Sequence, residues 1–180
     1  MKKTLLTLAL VAMTSVASYA QGTIAFGNSA LTRVQLLSAD GLSKANLDPA
    51  LGIQFAVFVN GSDTAAGPVA MLGTTAGVIA APSVYTLAGT VENTIVSLKI
   101  RAWEGSTANW QNAHLYFGET DSRQVTLGPT AGPGQVIWQT ATGVNANRFT
   151  PLIVHIVPEP STIALAVLGL GSVLLFRRRK

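Results

Sequence analysis

The middle of the chain alternates between apolar and polar residues in short runs. In the segment IVSLKIRAW, residues 95–103, every second residue is apolar and most of the residues between are polar. This period of two predicts a β-strand with one buried face. The segment IQFAVFV, residues 53–59, is apolar at consecutive positions and predicts a strand buried on both faces. The sequence Asn60-Gly61-Ser62 that follows predicts a turn.

Weaker strand patterns occur at seven further places, separated by glycine, proline and asparagine. They are residues 23–26, 33–38, 77–81, 83–87, 124–127, 135–139 and 151–157. Outside the two ends, no stretch of about 12 residues keeps the 3.6-residue period of an amphipathic helix. We therefore predict an all-β fold, an antiparallel β-sandwich of about seven to nine short strands.

The N-terminal end has the pattern of a secretory signal peptide. Lys2 and Lys3 precede an apolar run, which is followed by small residues. Ser18 and Ala20 fit the −3 and −1 positions of a signal-peptidase site, and cleavage there would make Gln21 the new N-terminus. We predict a signal-peptide helix at residues 1–20, with signal peptidase as a partner.

The C-terminal end has the pattern of a short membrane span. Pro158 and Pro160 flank Glu159 and predict an extended, accessible peptide, because proline cannot lie inside a regular helix. Residues 161–176 are 16 consecutive uncharged residues. As a helix they would be roughly 24 Å long, which predicts a short transmembrane helix.

Four basic residues end the chain and predict its orientation. Arg177, Arg178, Arg179 and Lys180 form a stop-transfer cluster that should stay cytoplasmic under the positive-inside rule. This orientation places residues 21–157 on the far side of the inner membrane, as the signal peptide also does. We predict an exported β-domain at residues 21–157 between the two sorting segments.

The C-terminal residues resemble a known sorting signal. Pro-Glu-Pro-Ser-Thr at 158–162, Gly-Leu-Gly at 169–171 within the apolar stretch, and the final Arg-Arg-Arg-Lys resemble the PEP-CTERM signal at 158–180. The resemblance implies an exported protein of a Gram-negative bacterium that makes extracellular polysaccharide. It also implies processing by an exosortase, a membrane transpeptidase-like enzyme that acts near Pro158, Glu159 and Pro160.

The middle of the chain resembles a loose group of uncharacterised exported proteins with the same tail. In that group an Arg-Ala-Trp strand, here residues 101–103, recurs before a loop. The resemblance implies a β-sandwich and no particular activity.

Charge and cysteine content exclude several classes of function. Residues 21–157 contain six Lys and Arg against seven Asp and Glu, a net charge of −1. A nucleic-acid binder would carry a basic surface, so nucleic acid is not an expected partner. The chain has no cysteine, which excludes disulfides, thiolate metal sites and a cysteine nucleophile.

No catalytic motif emerges from the remaining residues. The two histidines lack the spacing of a zinc site, and no Gly-x-Ser-x-Gly sequence anchors an esterase triad. The carboxylates of the middle segment have no spacing that selects a pair, and we interpret them as solvated loop charges. They are Asp40, Asp63, Glu104, Glu119 and Asp121. We predict a non-enzymatic protein without a cofactor or metal site.

One loop carries candidate binding residues. Trp103, Trp110, Tyr116 and Phe117 lie in or beside the segment EGSTANWQNAHLYFG, together with the amides of Asn109, Gln111 and Asn112. Flat aromatic rings beside amides could stack on sugar rings. The simpler interpretation is that Trp103 lies in the sandwich core and Trp110 packs within the loop.

These observations predict a surface or extracellular-matrix protein that is sorted and processed through its C-terminal signal and is associated with polysaccharide. The β-domain would be periplasmic in an inner-membrane intermediate before it reaches the cell surface. One alternative is a carbohydrate- or ice-binding module, and another is an exported polysaccharide-acting hydrolase.

Overall fold

The computed structural model describes residues 20–107, 109–139 and 147–157, together with Leu168. The predicted transmembrane helix, apart from Leu168, lies outside these residues, and so does the signal peptide, apart from Ala20. Among the described residues, no helix is long and apolar enough to cross a membrane.

Twelve strands and two short 3-10 helices, Pro49–Leu51 and Trp110–Asn112, make up the regular structure of the described residues. The strands are β1 (Thr23–Ala25), β2 (Gln35–Leu37), β3 (Lys44–Asn46), β4 (Ile53–Val59), β5 (Ala70–Leu72), β6 (Ile79–Ala80), β7 (Tyr85–Thr86), β8 (Ile95–Glu104), β9 (Tyr116–Glu119), β10 (Arg123–Thr126), β11 (Gln135–Val136) and β12 (Ile153–Ile156).

The strands form one large curled sheet and one small sheet. The large sheet has the order β3-β2-β12-β9-β8-β4-β5-β6, and β10 also pairs with β8. The small sheet has the order β11-β1-β7. β8 organises the large sheet, because β4 pairs along one of its edges while β9 and β10 pair in succession along the other.

Both sheets contribute to one hydrophobic core. The small sheet supplies Ile24 and Tyr85, and the large sheet supplies Phe55, Leu98 and Val154, all nearly free of solvent contact. The Tyr85 hydroxyl donates a hydrogen bond to the Pro68 carbonyl oxygen, which satisfies the polar atom of Tyr85 inside the core. Burial raises the pKa of Tyr85 well above its ordinary value.

The last strand is held inside the large sheet. β12 pairs in parallel with β2 and antiparallel with β9. Gly118 of β9 lies so close to β12 that a Cβ atom there would come within 2.5 Å of the Ile153 carbonyl oxygen. After the strand ends, the Val157 N–H donates to the Leu115 carbonyl oxygen at 2.8 Å. The chain is therefore bonded to the sheet up to Val157.

The predicted all-β class is confirmed for the described residues, and each of the nine predicted segments overlaps a strand. The expected count of seven to nine is too low, because β3, β5 and β9 were missed. β3 is exposed at every position and so has no apolar face, β5 has a single buried residue, and Gly118 interrupts the pattern of β9. The expectation of purely antiparallel pairing is also corrected, because β1–β11 and β2–β12 run parallel.

Candidate functional site

A second hydrophobic cluster lies on the face of the large sheet that is turned away from the main core. Because side chains alternate along a strand, Leu98, Ile100 and Ala102 of β8 point into the main core, and Trp103 points the other way. Trp103 packs there with Ala56 and Phe58 of β4. This second cluster explains why β4 is apolar on both faces.

The loop between β8 and β9, described at residues 105–107 and 109–115, covers the second cluster with Trp110 and Ala113. The Trp110 ring packs at the edge of Phe58, with 6.3 Å between ring centroids, and lies 6.0 Å from the ring of Phe117. Its indole N–H donates to the Asp63 carbonyl oxygen at 3.3 Å. Trp110 is thus held in place by contacts on three neighbouring segments.

Arg101 covers one face of Trp110. Its guanidinium carbon lies 3.7 Å from the centroid of the Trp110 ring, which is a close cation–π contact. The Nε atom donates to Glu119 Oε2 at 3.1 Å, and Nη1 lies 3.3 Å from Asp63 Oδ1. With its side chain only 11% exposed, Arg101 is largely enclosed, and two carboxylates balance its charge.

Glu119 contacts two cations on the outer face of the large sheet, the face that is turned away from the main core. Lys99 Nζ lies 3.1 Å from its Oε1 atom, opposite the contact with Arg101. Burial raises the pKa of Glu119, but the hydrogen bonds from Lys99 and Arg101 lower it more, so this pKa lies below its ordinary value. The carboxylate is ionised and engaged at neutral pH.

Glu104 fixes the base of the loop from inside the protein. The residue is 3% exposed, and its carboxylate accepts hydrogen bonds from the N–H groups of His114, Leu115 and Tyr116 at 2.7, 3.3 and 3.0 Å. Burial raises the pKa of Glu104, but these backbone N–H groups outweigh that effect and hold it below its ordinary value.

The interpretation of Glu104 as a solvated loop charge is wrong. β8 continues one residue beyond its predicted end and carries Glu104 inward, where the returning chain converges on it. Its position directly after the apolar end of a strand was the one available signal. Asp63, by contrast, has a side chain that is 71% exposed, as expected.

A groove of about 340 Å³ lies between this loop and residues 63–69. The buried part of its lining is aromatic and comes from Phe58 and Trp103, with the half-buried Trp110 beside them. The exposed part is mostly polar, with Asp63, Asn109 and Gln111, and also includes the apolar Val69. The groove thus combines aromatic surface with hydrogen-bonding side chains.

The structure brings two of the three predicted stacking residues together. Trp103 is 3% exposed and directs its indole N–H toward the Thr107 carbonyl oxygen at 3.4 Å, while Trp110 lines the groove. Tyr116 packs against the main core instead. Phe117, one residue later, lies near Trp110 on the outer face. Phe117 was predicted to cluster with Trp110, whereas Phe58 and Arg101 were not, because β4 and β8 meet Trp110 only in the folded chain.

A smaller groove of about 210 Å³ lies beside β9, β10 and β12 and brings Glu119, Asp121 and His155 to one lining. Glu119 is already engaged by two cations there. Within the described part of the chain, no group of three or more His, Asp or Glu residues is placed to hold a metal ion.

Of the predicted sorting residues, Ala20 and Gln21 lie within the described residues. The Ala20 carbonyl oxygen accepts the Glu92 N–H at 3.1 Å, and the Gln21 carbonyl oxygen accepts the Thr130 hydroxyl at 2.6 Å. The remaining predicted sorting residues lie outside the described ranges. They are Ser18, the Pro158-Glu159-Pro160 motif, and Arg177, Arg178, Arg179 and Lys180.

Comparison with known families identifies the C-terminal end. Residues 157–180 match the PEP-CTERM protein-sorting motif, which confirms the resemblance seen in the sequence. The motif implies exosortase-dependent export and membrane-associated sorting in Gram-negative bacteria. No curated protein and no solved structure matches the chain.

Proposed function

We propose that this protein is a non-enzymatic component of the cell surface or extracellular matrix that associates with polysaccharide. A signal peptide at residues 1–20 directs export, and the apolar segment 161–176 then holds the protein in the inner membrane with its β-domain in the periplasm. An exosortase processes the chain near Pro158, Glu159 and Pro160 and so releases the domain to its final site.

The observation that carries this proposal is the matched sorting motif and its position in the fold. The match begins at Val157, which is also the residue whose N–H is bonded to Leu115 at the end of the sheet. The matched motif therefore starts at the residue with which the described part of the β-domain ends. This position suits a signal that is removed after the domain has folded.

At the N-terminal boundary, Gln21, the first residue after the proposed cleavage, bonds to Thr130 in the β-domain, and cleavage would remove the bond between Ala20 and Glu92. The two sheets that share one core further support our assignment of residues 21–157 as a β-sandwich.

The engagement of the carboxylates supports a non-enzymatic role. A glycoside hydrolase needs two carboxyl groups that flank the scissile bond and are available to it. Glu104 is occupied by three backbone N–H groups, and Glu119 by Lys99 and Arg101. The alternative of an exported hydrolase predicts turnover of a polysaccharide that is lost in Asp121→Asn.

The test is the intact mass of the protein isolated from its native host. We expect a chain that begins at Gln21 and ends near residues 158–160, with or without an attached group. The double variant Pro158→Ala/Pro160→Ala should accumulate unprocessed in the membrane fraction, while Ser172→Ala, a control within the apolar segment, should be processed normally. A wild-type mass that extends to Lys180 would contradict the proposal.

A further inference from the structure

We propose that the groove beside Trp110 is a binding subsite for a neutral sugar unit of an extracellular polysaccharide. The inference rests on the proposed association with polysaccharide and assigns that association to named residues. It does not depend on the route by which the protein reaches the cell surface.

The aromatic lining suits the apolar face of a sugar ring. A pyranose presents a face of C–H groups that packs well on an indole. Arg101 lies over Trp110 at 3.7 Å and over Phe58 at 4.7 Å, so a sugar ring would stack on the part of Trp110 that lines the groove. Trp103 also lines the groove and adds aromatic surface. The positive charge of Arg101 does not prevent stacking, since two carboxylates neutralise it.

The exposed lining supplies partners for hydroxyl groups. The side chains of Asn109 and Gln111 each offer two N–H donors and one carbonyl acceptor, and the Thr64 hydroxyl both donates and accepts. Asp63 adds acceptor oxygens at the same border. Sugar hydroxyls also donate and accept, so this combination matches a polyhydroxylated ligand better than a purely apolar one.

The charge of the groove favours a neutral ligand. None of the described residues that line it is basic, and its carboxylate, Asp63, is paired with Arg101. A polyanionic chain would find no cation in the groove to offset the loss of its hydration. The site should therefore select neutral sugar units over uronic acids or sulfated sugars.

Hydrogen bonds within the protein hold Trp110 in position beside the groove. Glu104 binds the returning chain through three N–H groups, and the indole of Trp110 is bonded to Asp63. A preformed site loses less conformational entropy on binding, which raises affinity. The volume of about 340 Å³ lies near the lower end of the range of about 300–1,000 Å³ for ligand pockets, so the groove should hold a short part of a polymer.

The test is affinity electrophoresis of the full chain in a polyoxyethylene detergent, because maltoside detergents carry sugar head groups. Native gels would contain dextran, xylan, glucomannan or a soluble β-1,3-glucan, with alginate as the polyanionic comparison. We expect at least one neutral polysaccharide to retard the protein. The double variant Asn109→Ala/Gln111→Ala and the single variant Trp110→Ala should each bind at least about tenfold more weakly.

A matched control separates binding from folding. Asn46→Ala/Gln124→Ala removes two exposed amides that lie outside the groove and should leave the retardation unchanged. Thermal unfolding of each variant would identify any loss of structure, which concerns Trp110→Ala most. The site assignment is overturned if no neutral polysaccharide retards the protein, if only alginate does, or if the amide double variant binds as the wild type does. Processing of the tail is tested independently by the mass of the mature protein, so failure of the binding site would not contradict it.

Discussion

Glu104 illustrates how a single buried carboxylate can position a surface loop. An ionised group inside a protein is unfavourable unless hydrogen bonds compensate for its lost hydration. Three successive N–H groups provide that compensation, and in doing so they fix the point where the loop rejoins β9. The position of Trp110 therefore depends on a residue that does not line the groove.

Replacing Glu104 with glutamine should destabilise the protein. The amide retains one acceptor oxygen, but its NH2 group would face a backbone N–H and leave that donor unsatisfied. We expect the free energy of unfolding to fall by about 1–3 kcal/mol, measured by urea denaturation. The exposed Asp121→Asn is the control and should change it by less than about 0.5 kcal/mol. Equal stability of Glu104→Gln and wild type would mean that the hydrogen bonds do not hold the loop.

Stability should also depend on pH through Glu104 and Glu119. Both pKa values are lowered in the folded state from an ordinary value of 4.5, so the unfolded chain binds protons first as the solution is acidified. The stabilisation is fully present above pH 4.5 and is lost as pH falls through the folded-state pKa values. Urea denaturation between pH 7 and pH 3 should show this decline, and Glu104→Gln should make it shallower. A parallel decline in the variant would contradict the assignment.

At the scale of elements, the close contact between β9 and β12 predicts a sensitive glycine. A Cβ atom at Gly118 would meet the Ile153 carbonyl oxygen at 2.5 Å, so Gly118→Ala must push the two strands apart. We expect a loss of about 1–3 kcal/mol in the free energy of unfolding. Gly73→Ala is the control, because its nearest contact would be at 3.6 Å. Equal effects of the two substitutions would show that the strands separate without cost.

The same strand determines how close the sorting motif lies to the domain. At no more than about 3.6 Å per residue, Pro160 lies within roughly 11 Å of Val157. The side chains of Leu115 and Ile156, 39% and 42% exposed, lie beside this exit. We infer that the domain edge limits the approach of the processing enzyme.

An insertion tests this steric limit. Eight Gly and Ser residues placed between Val157 and Pro158 should increase the rate of processing in the native host, measured by pulse labelling and gel shift. The same insertion after Gly41, in an exposed turn, should leave the rate unchanged. Slower or unaltered processing with the first insertion would argue that the enzyme already has free access.

Strands with a long run of apolar or alternating residues could be predicted from the sequence. The residues that pack against them could not. Residues 53–59 were predicted to be buried on both faces, and β4 matches that range residue for residue. What buries the second face is the loop 105–115, which is some 50 positions away in the chain. Trp103 was likewise recognised as a candidate, but its neighbours Phe58 and Phe117 depend on strand pairing that no local pattern encodes.

At the scale of the whole molecule, the two ends differ from the middle in how they can be interpreted. A sorting signal is recognised as a short linear sequence, so its order of residues predicts its role directly, and the match at residues 157–180 confirms this for the C-terminal end. The groove depends on residues from β4, the turn after it, β8 and the following loop. Its assembly could be described only once the sheet order was known.

The boundary between tail and domain makes a final prediction about folding. Hydrogen bonds of the sheet continue to Val157, and β12 lies between β2 and β9 within the large sheet. Deleting residues 158–180 from a chain that begins at Gln21 should therefore leave the midpoint of thermal unfolding unchanged. The midpoints of the shortened chain and of residues 21–180 would be measured by circular dichroism in one and the same polyoxyethylene detergent. Deleting residues 153–180 instead removes β12, takes Val154 out of the core and separates β2 and β3 from the rest of the large sheet. We expect this shorter chain to show no cooperative unfolding transition. A lower midpoint for the first deletion would mean that the tail contributes to the fold, and a normal transition for the second would mean that β12 does not.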